Sequence, residues 1–145
     1  MVSVLAGTIS PLSAQSEVKY VGGTLATLKA GQQGDIHLSD DHYLAYYGRQ
    51  DQMLRIPYDQ INLLEYGQQV DRRLAMALLI SPIFLLSKAR KHYLTIGYVD
   101  RQGEQQALVF QVDKKQIRAT LVGLEARTGL AIQYQDQEAR KASAH

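Results

Sequence analysis

The stretch YLTIGYVDRQGEQQALVFQV, residues 93–112, decides the fold. Apolar and polar side chains alternate from Tyr93 to Val99, which is the pattern of a strand with one buried face. Asp100 to Gly103 has the composition of a turn, and an apolar run from Ala107 to Val112 follows it. The stretch therefore predicts two antiparallel strands joined as a hairpin.

Upstream of this hairpin, short apolar segments recur at a spacing of about ten residues between polar turns, which is typical of an all-β sandwich or barrel. Gly22-Gly23 and the loop from Ala30 to Gly34 are predicted as turns. The predicted strands are Val18 to Val21, Ile36 to Leu38, Tyr43 to Tyr47, Met53 to Pro57 and Ile61 to Tyr66.

After Val112 the apolar period changes from that of a strand to that of a helix. Asp113 and Gln116 have the spacing of a capping box, and Gly129 supplies a C-terminal stop. A helix from Lys114 to Thr128 is therefore predicted, followed by a short strand within Leu130 to Tyr134. Its apolar stripe is Ile117, Leu121, Leu124 and Thr128.

One segment has a composition unlike the rest: Asp71 to His92, DRRLAMALLISPIFLLSKARKH. This segment, called the insertion below, has an apolar centre from Leu74 to Leu86 that Ser81-Pro82 interrupts. Spanning a bilayer takes roughly 20 apolar residues, so the insertion is too short for a transmembrane helix. Its Ala, Leu and Met content predicts one or two short helices.

Three partners could cover the apolar side chains of the insertion: the domain's own core, a protein partner that includes a second copy of the chain, or a membrane surface. The insertion holds five basic residues and one acidic residue, a net charge of +4, whereas the rest of the chain has a net charge of −2. An apolar loop rimmed by cations suits an anionic lipid surface. The candidate electrostatic contacts are Arg72, Arg73, Lys88, Arg90 and Lys91, and the candidate apolar anchors are Ile83, Phe84 and Leu85.

The alternative is a purely structural domain whose insertion covers its own core and which acts through self-association at a sheet edge. If the basic rim meets lipid, protonation of His92 near pH 6 is expected to strengthen binding.

Catalytic and cofactor motifs are missing from the sequence. It has no cysteine, and the four histidines lack the spacing of metal ligands. No serine has a nucleophile-elbow context, and the net charge of +2 is too small and too local for a general nucleic-acid binder. We therefore expect a non-enzymatic protein with no cofactor, metal or nucleic-acid partner.

The N-terminal residues 1–16 have features of a leader remnant, because Val2 to Leu12 is mildly apolar and Ala14-Gln15-Ser16 supplies the small residues of a cleavage site. Export is favoured on this basis; a cytoplasmic location is expected if these residues are only a flexible tail. The domain is then predicted over residues 17–135, with a polar tail over 136–145.

The predicted outline resembles the pleckstrin-homology-like (PH-like) superfold: an antiparallel, partly open barrel or sandwich closed by one C-terminal helix. Leu54 to Ile61, with the pattern L-x-I-P-Y-x-x-I, resembles GRAM-type and bacterial PH-like domains. The segments YVGGT, IPYDQINLLEYG, ISPIFLLSKARKHYLTIGY and LEARTG resemble small exported, uncharacterised bacterial proteins of this type. The resemblance covers Val18 to Tyr134 and implies a binding or scaffold module. It implies no phosphoinositide pocket, because the loop at Ser39 to Asp41 is acidic.

Overall fold

A computed structural model describes residues 15–70, 72–78, 80, 91–135 and 140–141, without the side chains of Arg72 and Leu74. The strands are β1 (Gln15–Gly23), β2 (Gln33–His37), β3 (Tyr43–Tyr47), β4 (Met53–Pro57), β5 (Ile61–Gly67), β6 (Tyr93–Val99), β7 (Gln105–Val112) and β8 (Gln133–Tyr134). The helices are α1 (Arg72–Ala77), α2 (Ile117–Thr128) and a 3₁₀ helix (Tyr58–Gln60). Four strands come first, and helices then stand between β4 and β5, between β5 and β6, and between β7 and β8.

The strands form one eight-stranded sheet in the order β4-β3-β2-β1-β7-β6-β5-β8. All neighbouring strands are antiparallel except β5 and β8, which are parallel. Within the described residues β4 and β8 are the two edges, so the sheet is open. The predicted class, mainly β with a C-terminal helix and a partly open sheet, is confirmed and is consistent with a PH-like open sandwich. The sheet is mixed rather than wholly antiparallel because of β8.

The hairpin of β6 and β7 is confirmed, and local hydrogen bonds account for its turn. The Asp100 N–H donates to the Glu104 carbonyl at 2.9 Å, and the Gly103 N–H donates to the Asp100 carbonyl at 3.0 Å. Asp100 Oδ1 also accepts the N–H groups of Gln102 and Glu104, both at 2.9 Å. Gly103 has φ +80°, which glycine adopts without strain.

The inner face of the sheet encloses the main core. Tyr20 and Tyr46 both contact Phe110, with ring centroids 5.7 Å and 5.2 Å apart. Strands β3, β6 and β7 each send every second side chain into this core, and β1 and β5 add Val18, Tyr20, Ile61, Leu64 and Tyr66. Burying each such side chain stabilises the fold by about 1.5–3 kcal/mol, so the curled sheet is held by its interior.

Helix α2 closes one end of the curled sheet with its buried side chains, Ile117, Thr120, Leu121 and Leu124. At its C-terminus Gly129 has φ +76° and its N–H donates to the Glu125 carbonyl at 2.9 Å, so the predicted stop is confirmed. Toward the N-terminus of the chain, Ser16 Oγ is hydrogen-bonded to Thr120 Oγ1. These contacts fix α2 to β1 and to the core.

The predicted capping box at the start of α2 is wrong. The helix begins at Ile117 rather than Lys114, and its N-terminus has no side-chain cap. Gln116 Oε1 instead accepts the Glu17 N–H of β1 at 2.6 Å, while Asp113 Oδ2 accepts the Lys115 N–H at 3.3 Å. The Gln116 side chain is bonded to β1 and therefore does not form the capping box.

The two chain ends bear on the predicted domain limits. Strand β1 begins at Gln15, and Gln15 and Ser16 pair with His37 and Ile36 of β2, so the first strand starts two residues before the predicted boundary at residue 17. Residues 1–14, 136–139 and 142–145 lie outside the described residues. Export and the leader therefore stay predictions.

Candidate contact surface at the insertion

The first half of the insertion packs on the outer face of the sheet. Ala75 and Leu78 are buried, and the Ile80 N–H donates to the Ala75 carbonyl at 2.9 Å, which fixes the chain after α1. These side chains belong to a second apolar cluster, called the outer cluster, that is separate from the main core. Its members are Val21, Val70, Ala75, Leu78, Ile80, Tyr93 and Val109, with Ala107 packed against them.

Gly22 makes this packing possible. The pairing of β1 with β7 shifts register between Tyr20 and Gly22, and Val21 is wholly buried in the outer cluster. A Cβ atom on Gly22 would lie 2.8 Å from Ile80 Cγ1, which is closer than real Cβ atoms approach. The prediction of a turn at Gly22 and Gly23 is therefore wrong. Both residues belong to β1, and the missing side chain of Gly22 leaves space for Ile80.

Among the described side chains of α1, one cation and one large apolar side chain are exposed to solvent. Arg73 is exposed, and Met76 is 73% exposed, more than the other exposed large apolar side chains in the described part of the chain. At the other end of the insertion Lys91 is exposed, and its N–H donates to the Gln68 carbonyl at 3.3 Å. An apolar side chain and two cations thus face solvent at the two ends of the insertion.

The candidate contact residues are described only in part. Arg73 and Lys91 are placed on the surface, and the backbone of Arg72 lies in α1. The remaining five residues lie outside the described residues: Ile83, Phe84, Leu85, Lys88 and Arg90. Met76 was not among the predicted contacts, although its helical spacing from Arg73 (i, i+3) puts the two on one helix face.

His92 does not belong to the basic rim. It is half-buried, its Nδ1 is hydrogen-bonded to the Tyr66 hydroxyl at 2.5 Å, and the two rings stack with centroids 5.9 Å apart. Burial, with Lys114 nearby, lowers the pKa of His92 below its ordinary 6.5. The hypothesis that His92 gains charge near pH 6 at a lipid surface stays a prediction, although burial and the Lys114 charge oppose protonation in this structure.

A polar groove of about 490 Å³ lies on the outer face of the sheet, along β1 and β2. Carboxylates of Glu17, Asp35 and Asp113 line it together with the cations Lys19 and Arg49. Glu17 and Asp35 are direct cross-strand partners, which is unfavourable for like charges unless cations lie near. Among the described residues no three His, Asp or Glu side chains are grouped to hold a metal ion.

Comparison with known proteins adds no relative. No protein-family profile matches the chain, and no curated protein matches it. Within the described residues, none of the helices has the length and apolar character needed to cross a bilayer.

Proposed function

We propose that the protein is a non-enzymatic, PH-like binding module whose insertion contacts an anionic membrane surface. The observation that carries the proposal is the two-sided character of α1: Ala75 is buried in the outer cluster, while Arg73 and Met76 point to solvent. Anchoring one side of a short helix holds its other side in a fixed position, as a contact surface requires.

The energetics favour a surface that acts through several weak contacts. Each Lys or Arg near an anionic leaflet contributes about 1 kcal/mol, and burial of a methionine side chain contributes about 1.5–3 kcal/mol. Arg73, Lys91 and Met76 together therefore supply useful but reversible attraction. The sequence adds Ile83 to Leu85 and three further basic residues of the insertion to the same segment.

The structural alternative has its own support. Ala75, Leu78 and Ile80 cover Val21 and Val109 on the outer face of the sheet, so part of the insertion is a cover. The two functions share this anchor and differ in the role of the outward residues. A catalytic role has less support, because Glu17 and Asp113 in the groove are exposed and lack the burial that tunes an acid or base.

Vesicle flotation tests the proposal. The full chain is mixed with vesicles of phosphatidylcholine alone and with added phosphatidylserine, and it is expected to float only with the anionic vesicles and to be released by salt. The double variant Arg73→Glu, Lys91→Glu is expected to bind about tenfold or more weakly, because two contacts of about 1 kcal/mol are reversed. The matched control is Lys115→Glu, Arg118→Glu, an equal charge change at exposed positions outside the insertion.

The apolar contact is tested separately. Met76→Ser is expected to weaken flotation, whereas Val122→Ser, at a 58% exposed position on α2, is expected to leave it unchanged. If the Arg73→Glu, Lys91→Glu variant floats as well as the wild type and the Lys115→Glu, Arg118→Glu control do, the membrane role is contradicted. If the wild type does not float at all, the insertion acts as a cover or binds a protein partner.

A further inference from the structure

A small pit lies on the outer face of the β2–β3 hairpin, apart from the insertion. Its floor is Ala45, the direct cross-strand partner of His37, and its walls along β3 are Tyr43 and Tyr47. Because alternate residues of a strand point to the same face, the small alanine leaves a depression between the two tyrosines. The volume of the pit is about 240 Å³.

A carboxylate stands at the turn end of this pit. Ser39 and Asp40 complete its lining. Asp40 Oδ1 accepts the N–H groups of His42 at 2.7 Å and Tyr43 at 3.3 Å. These bonds lower the pKa of Asp40 below its ordinary 3.8. The carboxylate is therefore ionised at neutral pH.

The rings around the pit already hold one cation. The Arg55 guanidinium, on the cross-strand partner of Ala45 in β4, lies 5.0 Å from the centroid of the Tyr43 ring. Tyr47 is 39% exposed, and the His37 ring approaches it edge-on with centroids 4.9 Å apart. Aromatic faces beside a carboxylate attract cations through the ring quadrupole and the formal charge.

We propose that this pit binds the ammonium group of a small organic amine. The Asp40 carboxylate supplies the counter-charge, the Ser39 hydroxyl can accept one N–H, and the ring of Tyr47, which is 39% exposed, supplies cation–π attraction. The pit is smaller than sites for drug-sized ligands, which hold roughly 300–1,000 Å³, so it takes a single head group. None of these residues belongs to the insertion, so the inference does not rest on membrane binding.

The test is an NMR titration of the full chain with n-butylammonium chloride, with sodium chloride at the same concentrations as reference. Saturable shifts confined to the β2–β3 hairpin are expected with the amine alone. Asp40→Asn keeps an acceptor for the two N–H bonds and removes the charge; it is expected to weaken binding about two- to fivefold, the loss of an exposed ion pair. Asp51→Asn is the matched control, because Asp51 is an exposed acid in the next turn with φ +61°, which asparagine tolerates.

The aromatic contact has its own pair of variants. Tyr47→Phe retains the ring and is expected to bind as the wild type does, whereas Tyr47→Leu is expected to lose about two- to fivefold. A lysine-containing peptide is the second ligand: tighter binding than the free amine assigns the site to a lysine of a partner, and equal binding assigns it to a free amine. Shifts that match sodium chloride, or equal affinities of Asp40→Asn and Asp51→Asn, would overturn the proposal.

Discussion

Arg127 on α2 is bonded to Asp41 in the β2–β3 turn, with Nη1 donating to Oδ1 at 2.7 Å. The same side chain donates from Nε to the Leu38 carbonyl at 3.1 Å, and its guanidinium lies 5.9 Å from the Tyr58 ring. One residue thus joins the helix to the hairpin and to the 3₁₀ helix.

Arg127→Ala is expected to lower the free energy of unfolding by about 1–2 kcal/mol. Most of this comes from the Leu38 carbonyl bond and the lost packing, because an ion pair with an exposed partner contributes about 0–1 kcal/mol. Urea denaturation measures the change. Arg118→Ala, at an exposed position on the same helix, is the control and should change the value by less than about 0.5 kcal/mol.

Gly22→Ala should destabilise the outer cluster by about 1–3 kcal/mol, because the new Cβ overpacks against Ile80. A double-mutant cycle tests the cause. In an Ile80→Ala background the same change should cost much less, since the opposing Cγ1 is gone. An equal cost in both backgrounds would show that the backbone at Gly22, rather than Ile80, requires glycine.

Stability should depend on pH through His92. Because the folded pKa lies below the ordinary 6.5, the unfolded chain takes up a proton first as pH falls. The contribution of His92 to the free energy of unfolding should therefore be constant well above pH 6.5. It should decrease as pH falls from 6.5 toward the folded pKa, and it should level off below the folded pKa. His92→Gln, whose side-chain amide offers both a donor and an acceptor to the Tyr66 hydroxyl, should flatten this slope in pH-dependent urea melts. His42→Gln, at an exposed histidine, is the control that should retain it.

Gly129→Ala should cost about 1 kcal/mol, because alanine does not adopt φ +76° without strain. Gly129→Asn should cost less, since asparagine is the non-glycine residue that best tolerates this region. Thermal melts of the two variants compare them directly. A larger loss for asparagine than for alanine would show that space, and not φ, limits the position.

The parts of the fold that the sequence predicted correctly are those set by local chemistry. The turn at Asp100 to Gly103 is made by bonds within five residues, and Gly129 ends α2 through its own φ. Such features need no knowledge of distant contacts, so composition and spacing are enough.

The errors have the opposite origin. Gly22 was predicted in a turn because its partner, Ile80, is distant in the chain. His92 was assigned to a basic rim because the Tyr66 hydroxyl that orients it is 26 residues away. Tertiary contacts decided both.

The open edge at β4 affects whether the protein aggregates at high concentration through pairing of sheet edges. Gly48 donates to the Gln52 carbonyl and Tyr58 donates to the His42 carbonyl, so the even-numbered residues of this strand bond to β3. The backbone groups of Met53, Arg55 and Pro57 then point away, and proline has no N–H to offer. A strand that pairs with the β4 edge therefore finds two backbone N–H donors, those of Met53 and Arg55. If that strand is β4 of a second molecule, the two Arg55 side chains repel each other. The molecule thereby limits the templated aggregation to which exposed sheet edges are prone.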